Sequence, residues 1–117
     1  MILHLKKLLK KAYDDFNARK IGEVLSVMHP GVQWSNGWEG GYVTGHKEVS
    51  DYWTRQWQEI NPNVEPLNFK VREDGTLEVE VHQIAKDLQG NLIFDGHVKH
   101  IYTIEDGLIK RMDIEKE

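Results

Sequence analysis

Four tryptophans, Trp34, Trp38, Trp53 and Trp57, fall within a short stretch of a 117-residue chain. Tryptophan offers a wide apolar face and one N–H donor, which suits a pocket for a flat ring or polyene. Trp53 and Trp57 are four apart, the spacing of a helix face, so they serve a core equally well. Trp34 and Trp38 flank a glycine-rich stretch, where they would reach a ligand at a pocket mouth. Near the C-terminus, Asp106-Gly107 signals a two-residue hairpin loop, because both residues tolerate positive φ. Counting back from that loop, Glu105 faces Leu108, Ile104 faces Ile109, Tyr102 faces Arg111 and His100 faces Asp113. Directly opposed residues share a sheet face with Cβ atoms about 4.5–5.5 Å apart. Asp113 would then orient the His100 imidazole or take a proton from an acidic carbon. A three-residue loop would instead set Met112 against His100 and turn Asp113 to the other face.

Other chemistries find less support. The six histidines form no His-x-x-x-His or His-Glu-x-x-His pattern. His97 and His100 should point to opposite faces of a strand. A Gln89-Gly90 turn would bring His82 across from His97, but two histidines without a carboxylate make a poor metal site, so no metal is expected. The absence of cysteine excludes disulfides, thiol catalysis and cysteine-ligated zinc. Gly40-Gly41 lacks the Gly-Lys-Ser/Thr of a phosphate loop, and no nucleotide fingerprint is present. No cofactor is therefore expected. A net charge of -4 argues against nucleic acid or an anionic membrane as the main partner. No apolar run approaches the roughly 18 residues of a membrane span. Met1 to Lys7 is too broken by charge for a secretory leader, and the absence of cysteine suits a cytoplasmic home. Lys6, Lys7, Lys10 and Lys11 read as the solvated face of an amphipathic helix.

The elements that would hold these residues follow from periodicity. Ile2, Leu5, Leu9, Ala12 and Phe16 mark one helix face, flanked by Leu8 and Tyr13. A shorter pattern, Ile21 to Met28, stops at His29-Pro30-Gly31. Val32 to Ser35 is a short strand. A third helix starts near Thr44-Gly45-His46, buries Val49, Trp53, Trp57 and Ile60, and ends at Asn61-Pro62. Leu67 to Val71, Leu77 to Lys86, Leu92 to Glu105 and Leu108 to Glu115 alternate as strands of an antiparallel meander. Val98, His100, Tyr102 and Ile104 share one face of their strand. Ile93, Ile101 and His97 share the other. A strand with apolar residues on both faces needs two covers, and a second subunit is a natural second cover. The expectation is one α+β domain over residues 1–117, homodimeric through its outer sheet face.

This order of elements resembles the nuclear transport factor 2-like superfamily, which includes SnoaL-like and ketosteroid isomerase-like proteins. Three segments carry the resemblance: Ala12 to Asn17 followed by Leu25 to Trp34, Val43 to Val49, and His100 to Ile114. The resemblance implies a cone-shaped curved antiparallel sheet wrapped around three helices. Ketosteroid isomerases of this group use a carboxylate base, with a tyrosine and a protonated aspartic acid for the enolate. By that likeness Tyr13 takes the tyrosine's place, His100 the oxyanion aspartic acid's, and Asn36 falls on or near the base. Asparagine accepts no proton at neutral pH. SnoaL-type polyketide cyclases are the nearer comparison, with a histidine and an aspartate on the closing strands, here His100 and Asp113. The resemblance thus implies Tyr13, His100 and Asp113 as catalytic residues. Trp34, Asn36, Trp38, Trp53 and Trp57 would contact a small apolar, ring-bearing ligand. The activity would be an isomerase, cyclase or lyase. The alternative is a binding or dimerisation module without turnover.

Overall fold

The computed structural model describes residues 2–37 and 39–116. Helix α1 (Ile2–Asn17) buries Leu9 and Tyr13, with Ala12 and Phe16 packed beside them. It ends where Arg19 adopts a left-handed φ of 64°. Lys20 N–H then reaches back to Asp15 O at 2.8 Å and Arg19 N–H to Phe16 O at 3.0 Å, the hydrogen-bond pair that closes a Schellman-type helix end. Helix α2 (Ile21–Leu25), strand β1 (Met28–Ser35) and short strand β2 (Tyr42–Thr44) follow. Helix α3 (Gly45–Trp57) buries Val49, Tyr52 and Trp53. The remainder is β3 (Ile60–Val71), β4 (Leu77–Asp87), β5 (Leu92–Glu105) and β6 (Leu108–Lys116).

The six strands form one open, curved sheet in the order β2-β1-β6-β5-β4-β3. Among the described residues no helix interrupts 69–104. The expected α+β architecture of three helices over a curved sheet is present. One pairing differs from a wholly antiparallel sheet, because β1 and β6 run parallel. Alternation of side chains fixes a strand's faces but not its direction. Ile60 opens β3 instead of closing α3. That strand carries Pro62 and Pro66, which a sheet tolerates because β3 is an edge strand.

The sheet's two faces differ in chemistry. Leu77, Val79 and Val81 of β4, His100 and Tyr102 of β5, and Met112 of β6 are buried together beneath the helices. Strand periodicity puts Glu78, Lys99, Asp113 and Glu115 on the other face. Arg72 bonds both Glu78 and Glu115 there, each at 2.8 Å. The outer face is therefore mostly charged, with Ile101 buried within it. His82 does meet His97 across the β4–β5 ladder, their rings stacked 4.9 Å apart.

Candidate active site

The site begins with the β5–β6 hairpin. Its loop has the expected two residues, and Glu105 pairs with Leu108 and Ile104 with Ile109. The next pair is Thr103 with Arg111, which leaves Lys110 as an unpaired extra residue. This bulge lies where β1 also shifts register against β6, between Met28 and Gln33. One extra residue turns every later side chain of β6 over. His100 consequently faces Ile114, and Asp113 faces Ile101. The expected His100–Asp113 pair does not form. Asp113 instead accepts hydrogen bonds on the outer face from Tyr42 Oη and from Arg111 Nε, the latter at 3.0 Å.

His100 has a different partner. Tyr13 Oη of α1 lies 2.8 Å from its Nδ1, and Tyr102 Oη donates to Tyr13 Oη at 2.8 Å. All three side chains are buried. Because Tyr13 accepts the Tyr102 proton, its own hydroxyl hydrogen goes to Nδ1. The neutral imidazole then carries its hydrogen on Nε2, a tautomer assigned from the hydrogen-bond chain. Burial lowers the His100 pKa from 6.5 to about 4, so the ring is neutral near pH 7. Burial likewise raises both tyrosines above their ordinary value. Nε2 has no hydrogen-bond partner among the described residues.

His100 lines a cavity of about 500 Å³, within the range of small-molecule sites. Its walls are apolar and aromatic, with Phe16, Trp34, Trp53, Val98, Met112 and Ile114 among them. Trp34 and Trp53 meet edge to face at 5.3 Å. Ser35, Gln56, Gln83 and Lys116 add polar groups, and Ile93 and Phe94 stand at the exposed end of β5. A Cβ on Gly96 would come within 2.9 Å of the Phe94 ring, so this glycine lets that ring fold over the strand. Among the described residues the lining holds no aspartate or glutamate.

The expected contact residues divide. Trp34 and Trp53 line the cavity. Trp57 does not, because it is the next helical turn beyond Trp53 and is covered by Phe16 and by the Arg19 guanidinium 4.9 Å from its ring. Asn36 is also outside the lining. Its side chain builds the following loop, donating to Glu39 Oε1 at 3.0 Å and accepting from Glu39 N–H at 2.9 Å. Trp38 lies outside the described residues. Tyr102 was missed, although its place two residues after His100 puts it on the same face. Lys116 was missed because only the bulge turns it inward, opposite Val98. Among the described residues no three histidine or acidic side chains are placed to hold a metal ion. No described helix is long and apolar enough to cross a membrane.

With this geometry established, comparison with known proteins identifies the family. The SnoaL-like domain profile matches residues 9–112. The chain belongs to the SnoaL-like domain family. Curated protein sequences give no match. Among solved structures, TerC co-crystallised with polyporic acid is similar, with 22% identity, TM-score 0.84, and 97% of this chain and 92% of that one covered. An NTF2-like protein of unknown function from Burkholderia pseudomallei has 18% identity and TM-score 0.84, covering 97% and 91%. A candidate polyketide cyclase from Sinorhizobium meliloti has 18% identity and TM-score 0.76, covering 93% and 94%. At such identities the likeness shows a shared fold, on which many chemistries occur.

Proposed function

We propose that this SnoaL-like protein binds a flat, largely apolar small molecule and promotes isomerisation or cyclisation at one of its carbonyl groups. The observation that carries the reading is the buried neutral imidazole. A two-tyrosine chain fixes one of its nitrogens and leaves Nε2–H for a ligand. His100 would donate to a carbonyl oxygen and strengthen that bond as the oxygen becomes an enolate, the α-hydrogen passing to a water or hydroxide that enters the cavity, because no carboxylate lines it among the described residues. Donors already aimed at developing charge lower a barrier most in a water-poor site. Tyr13 and Tyr102 are positioning residues in this scheme, because they hold the tautomer. Trp34 and Trp53 would hold the substrate's flat face. The structural relatives add support, one described as a candidate polyketide cyclase and one crystallised with polyporic acid.

Deuterium exchange tests the reading. In D₂O, 2-tetralone should exchange its acidic α-hydrogens faster with protein than in buffer, and His100→Ala should abolish the gain. Equal acceleration by the two proteins would overturn it. The second reading is ligand binding without turnover, favoured by the lack of a carboxylate among the described lining residues. Its signature is binding to the wild-type cavity with no exchange. The proposal includes a homodimer through the outer sheet face, here a polar contact built on ion-paired rows around Ile101. Light scattering at micromolar concentration that finds only monomer would remove that part.

A further inference from the structure

We infer that the ligand of this cavity is an organic anion already ionised in water, an aromatic body carrying an acidic hydroxyl or carboxylate, whose charge Lys116 meets at the mouth. The inference rests on the reading of the cavity as a ligand site. Three observations converge on it. The first is the balance of charge in the wall. Lys116 is the one lysine or arginine among the lining residues, and among the described residues no acidic side chain lines the wall with it. A cationic ligand would find no counter-charge, and an anionic one would find the ammonium of Lys116, an exposed side chain at the rim of the wall.

The second is the direction of Lys116. Register sets it opposite Val98, on the same sheet face as His100 and Ile114. The neighbouring acids Asp113 and Glu115 alternate to the outer face, where Arg111 and Arg72 hold them. Lys116 itself forms no ion pair among the described residues. Two residues of strand separate its position from that of His100, roughly 7 Å, about the width of a substituted aromatic ring. One ligand would therefore meet the ammonium at the mouth and the imidazole N–H deeper in.

The third is chemical. His100 presents a hydrogen toward the ligand, and its other nitrogen is occupied by Tyr13. With no carboxylate base among the described lining residues, the wall is fitted to hold an oxyanion more than to create one. A substrate acidic enough to arrive ionised needs no base. The vinylogous acids, acidic phenols and hydroxyquinones are of this kind.

A pair of fluorescent probes tests the inference. One is 8-anilinonaphthalene-1-sulfonate, and the other is its uncharged parent, N-phenyl-1-naphthylamine. Wild-type protein should bind the sulfonate about tenfold more tightly than the parent. Lys116→Gln should weaken the sulfonate about tenfold and leave the parent within twofold, and Lys116→Arg should restore the preference. Ala85→Trp, with Val98→Trp as a second choice if the first misfolds, fills the cavity and should abolish binding of both probes. Cavity binding with equal affinity for both probes, unchanged in Lys116→Gln, would overturn the anion inference and leave the ligand-site reading standing. Binding that survives in the filled variants would overturn both.

Discussion

The two faces of the β5–β6 hairpin hold two polar networks built on opposite principles. Inward, Tyr102, Tyr13 and His100 are buried and neutral, and each hydrogen bond has one donor and one acceptor. Outward, Tyr42, Arg111, Asp113, Arg72 and Glu115 are charged or bonded to charge and open to water. Both faces carry a tyrosine hydroxyl bonded to a titratable group. Burial separates them: it keeps the inner imidazole neutral and directed, while water screens the outer ions. A bulge at Lys110 decides which β6 residue joins which network.

The largest contrast should appear in chemistry. His100→Ala should lower ketone exchange about 100-fold, the scale on which loss of one oxyanion donor acts. Asp113→Asn should leave exchange within about twofold, since its carboxylate bonds Arg111 and Tyr42 on the far face. A loss with Asp113→Asn equal to that with His100→Ala would return Asp113 to the site.

Acid comes next. The folded His100 pKa of about 4 lies below its ordinary 6.5. Between these values the unfolded chain binds a proton that the folded ring refuses. Stability attributable to this group is complete above pH 6.5 and is lost as pH falls toward 4. The loss is at most roughly 3 to 4 kcal/mol, because each tenfold difference in proton affinity is worth about 1.4 kcal/mol. Urea titrations at several pH values should show this slope in the wild type and its disappearance in His100→Gln. The outer ion pairs change equally in both proteins and cancel in the difference.

Tyr13→Phe should destabilise the protein by about 2 kcal/mol, because it strands two buried groups, His100 Nδ1 and Tyr102 Oη. Tyr102→Phe should cost less, since Tyr13 can still donate to His100. Urea denaturation of the two variants gives the order, and the reverse order would mean that the chain is not centred on Tyr13. In Tyr13→Phe, imidazole nitrogen NMR should also lose the single Nε2–H tautomer.

These contrasts mark what was legible in the sequence. The α1 stripe and the Asp106-Gly107 loop follow from local periodicity and turn chemistry and stand where the residues put them, while alternation found β4 to β6 but started β3 at Leu67 instead of Ile60. The His82–His97 meeting agrees with the Gln89-Gly90 turn, although the ladder reaches it through a register shift between Ala85 and Lys86. The His100–Asp113 pairing failed although its loop length was right. The bulge at Lys110 coincides with the parallel contact of β1, and no residue within β6 signals that long-range contact. The same blind spot hid Lys116. Trp53 and Trp57 share a helix face by spacing, but only tertiary packing shows Arg19 covering one of them. Tyr102 was within reach of period-two reasoning, because it flanks His100 on one face.

The smallest expected effect lies on the outer face. Arg72 bonds Glu115 through two nitrogens, at 2.9 and 2.8 Å, and Glu78 through Nε at 2.9 Å. Those contacts hold its pKa above the ordinary arginine value and that of Glu115 below the ordinary glutamate value. The Glu115 carboxylate nevertheless remains about half exposed. Exposed pairs add little, because water and the entropy of long side chains offset the attraction. Glu78 is only 17% exposed, but Lys99 Nζ 3.8 Å away remains to pair it, so Arg72→Ala should shift Tm by no more than about five degrees. The shift should shrink further in 1 M salt, where the screening length is about 3 Å. Tyr13→Phe should behave otherwise, because its buried bonds exclude mobile ions and its cost should be the same at both salt concentrations. Thermal melts of the two variants at 0.1 and 1 M sodium chloride make the comparison. A large, salt-insensitive loss for Arg72→Ala would place the outer network with the buried one.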